Sequence, residues 1–117
     1  MSNPFVHLEL NTPDLDKAKE FYGQMFGWTF SDMNTPAGIY STFQPDKAPG
    51  GGLTSMADAP KGWSAYVGVD DIKAATDKAA SLGAKVCMSC QEIPNIGWMT
   101  VLIDPTGAMI NLFQPKM

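Results

Sequence analysis

Residues 5–28, FVHLELNTPDLDKAKEFYGQMFGW, read as a buried strand, a capped turn and an amphipathic helix, with the protein's one histidine on the strand. Alternation along the strand sends Val6, Leu8 and Leu10 to one face and Phe5, His7 and Glu9 to the other. The wholly apolar set belongs under the helices, so His7 and Glu9 look out of the opposite face. Asp14 can cap the helix, Asp16 complements its positive first turn, and Gly27 ends it. Leu15, Ala18, Phe21, Tyr22, Met25 and Phe26 recur at helical spacing and make one apolar stripe.

The same pattern returns in residues 63–84, WSAYVGVDDIKAATDKAASLGA. Setting Asp14-Leu15 on Asp71-Ile72 gives an offset of 57, which also pairs Leu10 with Val67, Ala18 with Ala75 and Met25 with Leu82. A repeat of about half the chain is too long for a solenoid unit, so the chain reads as two copies of one module facing each other. In the first copy, strands are expected over 28–33, 39–43 and 53–56, with Pro- and Gly-containing loops between them. The second opens with a strand over 63–69, then a helix capped by Asp70 or Asp71 and stopped by Gly83. AKVCMS, GWMTVLI and AMINLF supply its remaining strands, with EIPN and DPTG as turns. Each half is therefore β-α-β-β-β, with module one over 4–57, module two over 62–115 and a single domain over 1–117.

Such a length can bury a core that hides roughly two-thirds of the unfolded surface. Hydrophobic residues make up 44% and charged residues 17%, ordinary proportions for a globular protein. The net charge of −4, without a basic run, argues against nucleic acid or an anionic membrane as partner. No stretch approaches the ~20 apolar residues of a membrane helix, and MSNP does not read as a signal peptide. Two cysteines are too few for a disulfide framework, which suits a reducing cytoplasm.

His7 is the first candidate for chemistry, as a ligand or a base, although a lone strand histidine is more often a hydrogen-bonded structural residue. Cys87 and Cys90 form CMSC, but they fall at a strand end where i and i+3 point to opposite faces, and a zinc site lacks its second pair. They read as ordinary strand-end residues. Gly50, Gly51 and Gly52 lead into a strand rather than a helix, so backbone freedom at a sharp entry explains them better than a phosphate cradle. No serine sits in a nucleophile elbow. Trp28, Phe30, Trp98 and Phe113 are core residues by default, though some could line a pocket on the sheet's inner face.

The segments HLELNTPDLDKAKEFYGQMFGW, GVDDIKAATDKAASLGAKV and EIPNIGWMTVLIDPTGAMINLFQP together resemble the vicinal oxygen chelate superfamily. That superfamily includes glyoxalase I, bleomycin-resistance proteins and extradiol dioxygenases, and the likeness is nearest to its short glyoxalase-related proteins. The resemblance implies an α+β fold: two tandem βαβββ modules whose mixed sheet curls into an open half-barrel, with the helices outside. It also implies where a metal would sit in metal-using members, on the first and last strand of each module. The first-strand ligand stands seven residues before the helix-capping Asp, which picks out His7 and Ser64. The last-strand ligand follows seven residues after Asp104, at Asn111, and subtracting the offset of 57 gives Thr54.

Three of those four positions depart from the imidazoles and carboxylates that a divalent metal wants. The expectation is therefore a protein that binds a small organic molecule in a concave sheet pocket lined by His7, Glu9, Thr54, Ser64, Tyr66, Trp98 and Asn111. No metal and no other cofactor is expected there. The alternative is an enzyme related to lactoylglutathione lyases or dioxygenases, with His7 as metal ligand or general base and Glu9 orienting it. An open sheet edge and apolar margin lead to the further expectation of a homodimer.

Overall fold

The computed structural model describes residues 3–35, 38–45, 47, 49–55 and 61–116. The expected strand residue Met56, the expected turn residue Pro36 and residues 57–60 of the inter-module linker lie outside them. The chain divides into two compact units, one of residues 7–63 and one of residues 1–6 with 64–117.

The first unit holds β1 (Phe5–Asn11, from His7 onward), α1 (Leu15–Phe26), β2 (Phe30–Thr35), β3 (Gly38–Phe43) and β4 (Gly50–Thr54). Its strands lie in the order β2-β3-β4-β1, with β1 parallel to β4 and the other pairs antiparallel. Asp14 caps α1 by accepting from the Lys17 N–H at 2.9 Å. At the other end Gly27 takes the left-handed conformation, φ 72°, that frees its N–H for the Gly23 carbonyl. Leu10, Phe43 and Leu53 form the core of this unit, packed on by Leu15, Ala18, Tyr22, Trp28 and Phe30. The helix itself buries no residue: Phe21 and Met25 of its apolar stripe stay 59% and 63% exposed.

The second unit repeats the plan with β5 (Gly62–Gly68, from Ser64 onward), α2 (Ile72–Ser81), β6 (Lys85–Ile93), β7 (Gly97–Ile103) and β8 (Met109–Pro115). The order is β5-β8-β7-β6, with β5 parallel to β8 and the rest antiparallel. Among the described residues there are thus two helices and eight strands, and the fold is α+β with two βαβββ modules. Of the two expected caps for α2, Asp71 serves, accepting from the Ala74 N–H at 3.1 Å. The DPTG turn closes on Asp104, whose carboxylate accepts from the Thr106 hydroxyl and from the Thr106 and Ala108 N–H groups. Those bonds, the Thr106 hydroxyl first, hold the Asp104 carboxyl below its ordinary range.

Several boundaries differ from expectation. Strand β2 begins at Phe30 rather than Trp28, because Trp28 turns inward to stack on Phe43 with ring centroids 4.5 Å apart. Strand β4 starts within the glycine triplet, and none of Gly50, Gly51 and Gly52 has a positive φ. Close approach accounts for the latter two: a Cβ on Gly51 would meet the Leu8 carbonyl and the Phe43 ring, and one on Gly52 would meet the Tyr40 phenol. Cys87 and Cys90 sit inside β6, where the ladder shifts register; Cys90 has φ 49° and its Sγ lies 3.8 Å from the Thr76 hydroxyl.

One polar network fastens α1 to its sheet. Ser41, fully buried on β3, donates to Asp32 at 2.5 Å, and Asp32 also receives Lys19 from α1 at 3.0 Å. The Ser41 bond, then Lys19, holds the Asp32 carboxyl below its ordinary 3.8. A folded-state value depressed in this way gives stability that is present above pH 3.8 and lost as pH falls through the lower folded value. Asp32→Asn should therefore flatten the acid limb of a melting-temperature profile below about pH 4, leaving its neutral slope unchanged. An unchanged acid limb would remove Asp32 from the account.

Candidate functional site

The site in the first unit begins with the β1–β4 register. His7 faces Gly50, Glu9 faces Gly52 and Asn11 faces Thr54, and paired residues of neighbouring strands share a face. Leu10 and Leu53 pair on the helix-packed face, so His7, Glu9 and Thr54 lie on the other. Tyr40 joins them: Thr42 pairs with Gly52, and Tyr40 is two residues along the same strand. With no side chain on Gly52, the Tyr40 ring lies across β4 and its hydroxyl reaches β1. It donates to Glu9 Oε1 at 2.9 Å and stands 2.9 Å from His7 Nε2. The phenol's single proton is committed to Glu9, so the Nε2 of His7 is the donor in the second bond. His7 Nε2 and Glu9 Oε1 stand 3.6 Å apart, beyond hydrogen-bond range but close enough to pair once His7 is protonated. Glu9 therefore orients His7 through Tyr40. With side chains 28% and 19% exposed, His7 and Glu9 are reachable from solvent but largely desolvated.

In the second unit Tyr66 faces Asn111 across β5 and β8, and Ser64 lies on the same face two residues earlier. Asn111 is 2% exposed; its Nδ2 donates to the Ser64 hydroxyl at 3.3 Å. Its Oδ1 is buried without a hydrogen-bond partner among the described residues. Tyr66 is buried as well. Trp98 does not join this group. It is two residues from Thr100 on β7, and Thr100 bonds Thr76 of α2, so Trp98 belongs to the helix-packed face, with Lys116 over its ring. Phe113 instead shares the Asn111 face.

The registers also correct the arithmetic that led to Thr54. By the offset of 57 Glu9 corresponds to Tyr66; Glu9 faces Gly52, whereas Tyr66 faces Asn111. The counterpart of Asn111 is thus Gly52, and Thr54 corresponds to Phe113. Module two carries two more residues before its last strand, which moves the equivalence by one pair without changing the face. Where module two presents an amide on its last strand, module one presents the hydroxyl of Tyr40 brought in from β3. The composition of GGG, with a tyrosine at even spacing on the preceding strand, is the available sequence signal for this.

A cavity of about 290 Å³ lies on the other side of β1, lined by Leu8, Tyr22, Phe26, Trp28, Phe43, Pro45, Pro49 and Trp63. Trp28 therefore lines a pocket on the helix-packed side rather than the inner face of the sheet. The Nε1 of Trp63 donates to the Tyr22 hydroxyl at 3.2 Å.

The family model for the bleomycin resistance protein-like N-terminal region matches residues 4–39. A Mycobacterium bovis protein provisionally named glyoxylase CFP32 is 35% identical over 117 residues, covering 92% of this chain and 44% of that protein. The anthracycline biosynthesis protein DnrV of Streptomyces peucetius is 30% identical over 123 residues, covering 91% of this chain and 45% of that protein. The structure of methylmalonyl-CoA epimerase from Mycobacterium tuberculosis superposes with a TM-score of 0.75 at 17% identity, over 97% of this chain and 88% of that one. In sequence and in fold the chain resembles the vicinal oxygen chelate superfamily. It spans less than half the length of the two relatives just named.

Members of the superfamily that use a metal hold it through strand side chains, and the residues at those positions here fit one poorly. Nε2 of His7 points its proton at a phenol, Gly52 has no side chain, and Ser64 is bonded to Asn111. Hydroxyl and amide oxygens bring no compensating charge. Among the described residues no group of three or more His, Cys, Asp or Glu side chains gathers.

Proposed function

We propose that this chain is a glyoxalase- and bleomycin-resistance-like protein that binds a small organic molecule through His7, Tyr40 and Glu9, without a catalytic metal. The observation that carries the reading is the Tyr40 hydroxyl bridging His7 and Glu9 on a partly exposed face. Three side chains held to each other are pre-organised, so a ligand is recognised with little further loss of side-chain freedom. The cluster also mixes donor, acceptor and aromatic surface, as a site for an organic molecule requires. The names of the two relatives, for a glyoxylase and for anthracycline biosynthesis, fit small-molecule chemistry.

Native mass spectrometry of gently purified protein, with elemental analysis, tests this directly. The expected result is a small-molecule adduct and no stoichiometric divalent metal. Tyr40→Phe should weaken binding of that molecule roughly tenfold, the worth of one hydrogen bond to a partly charged pair. His7→Ala should do at least as much while leaving the melting temperature within a few degrees, because His7 lies outside the helix-packed core. A melting-temperature loss like that of a core deletion would make His7 structural. A metal lost on removing His7 would overturn the metal-free reading.

The two free cysteines accord with a reducing, cytoplasmic location as part of this proposal. Among the described residues no helix is long and apolar enough to cross a membrane. Homodimerisation belongs to the same proposal, since β2 and β6 end the strand orders of their units and leave a backbone edge to be covered. Light scattering that shows a monomer at micromolar concentration would overturn it.

A further inference from the structure

We infer that the aromatic cavity of the first unit is a second small-molecule site, separate from the His7 cluster, that takes an uncharged, flat aromatic ring bearing a hydrogen-bond acceptor. Its walls are mostly aromatic. Tyr22, Trp28 and Phe43 form a ladder of nearly parallel rings, with interplanar angles of 16° and 15° between neighbours. Trp63 stands across that ladder at 83° to Tyr22 and 84° to Phe43, so the cavity offers both ring edges and an indole face. Pro45 and Pro49 complete the lining. The cavity volume of about 290 Å³ suits one or two fused rings.

The charge of the ligand follows from the lining, which among the described residues contains no ionisable side chain other than the Tyr22 phenol. A charged group there would be desolvated without compensation, in a chain whose net charge is −4. Its polar handle follows from Tyr22. That hydroxyl accepts the Trp63 N–H at 3.2 Å, and its own proton has no acceptor among the described residues. A ligand acceptor at the rim would use it. Access is open: Trp63 is 42% exposed and Phe26 53%. Leu8 lines this cavity from β1 while His7, next in sequence, faces the other way, so the two sites are separated by the sheet itself.

Titration with quinoline, naphthalene and trans-decalin, followed by the emission of Trp28 and Trp63, tests the inference. Quinoline supplies a flat ring with an acceptor, naphthalene the ring alone, and decalin apolar volume without a plane. Quinoline is expected to saturate at or below about 1 mM, ahead of naphthalene, with decalin weakest. Trp63→Ala should weaken quinoline binding roughly tenfold, and Tyr22→Phe should abolish its advantage over naphthalene. His7→Ala should leave all three affinities unchanged, so failure here and failure of the His7 reading are told apart. Equal binding of decalin, no effect of Trp63→Ala, or a dimer in solution that hides Trp63 from all three probes would each overturn the inference.

Discussion

Gly51→Ala is expected to destabilise the protein by roughly 3 kcal/mol or more, enough to leave a marginal domain largely unfolded. The added Cβ would run into the backbone carbonyl of Leu8 on the neighbouring strand and lie 2.8 Å from Cζ and 3.0 Å from Cε1 of Phe43. Neither can yield cheaply. The carbonyl belongs to the parallel β1–β4 ladder, and the Phe43 ring is part of the buried core and is stacked on Trp28. Gly52→Ala, one residue on and facing the opposite way, should behave differently. The three atoms nearest its Cβ all belong to the Tyr40 phenol, a side chain that can swing aside. That variant should fold with a smaller loss but should bind ligand as poorly as Tyr40→Phe. Chemical denaturation of both, beside binding by Gly52→Ala, checks the pair. Equal stability losses would mean that the two faces of β4 are not distinguished as the register requires.

The contrast between those neighbouring glycines shows what a sequence can and cannot disclose. Period-two alternation in residues 5–11 is a local property, so it suffices by itself to assign the faces of β1, with His7 and Glu9 away from the core. The repeat of Asp14-Leu15 at Asp71-Ile72 likewise locates both helices, because caps and apolar stripes are written within a dozen residues. Thr54 fails for a different reason. Its assignment carries one offset across strands and loops whose lengths differ between the modules, and pairing register answers to those lengths rather than to composition. Trp98 fails by the same route, since the face of a strand that starts after a turn depends on where the turn ends. Tyr40 is not reached by the superfamily's spacing at all. It arrives at the site only because β4 offers a glycine at the crossing point, a relation between two strands that no single stretch contains. The resemblance is therefore strong for architecture and weak for the site, where side chains from separate strands must meet.

The second large effect is expected in the other unit, at Thr100. This residue is fully buried on β7, and its hydroxyl lies 2.8 Å from the Thr76 hydroxyl of α2, accepts from the Cys90 N–H at 2.9 Å and stands 3.9 Å from the Cys90 Sγ. Cys90 sits at the irregular part of β6 with a positive φ, where the strand ladder gives its N–H no regular partner. Thr100→Val keeps the shape and deletes the oxygen, so the Cys90 N–H loses its partner and the Thr76 hydroxyl is left with only the Cys90 Sγ at 3.8 Å. Each such orphan costs about 1–3 kcal/mol, and a loss of roughly 2–4 kcal/mol is expected from the pair. The double variant with Thr76→Val should recover part of that loss, since it removes one of the two stranded groups rather than adding a third defect. A double-mutant cycle by urea denaturation reads the coupling, expected at about 1 kcal/mol or above. If instead the two substitutions simply add, the Thr76–Thr100 pair contributes nothing to holding the helix on this sheet, and the bond from the Ile72 N–H to Gln114 Oε1 at 2.8 Å remains as its polar tie. In that case the buried hydroxyl of Thr100 would have no role in docking α2, unlike Ser41 in the first unit, whose bond to Asp32 stands beside that of Lys19 from α1.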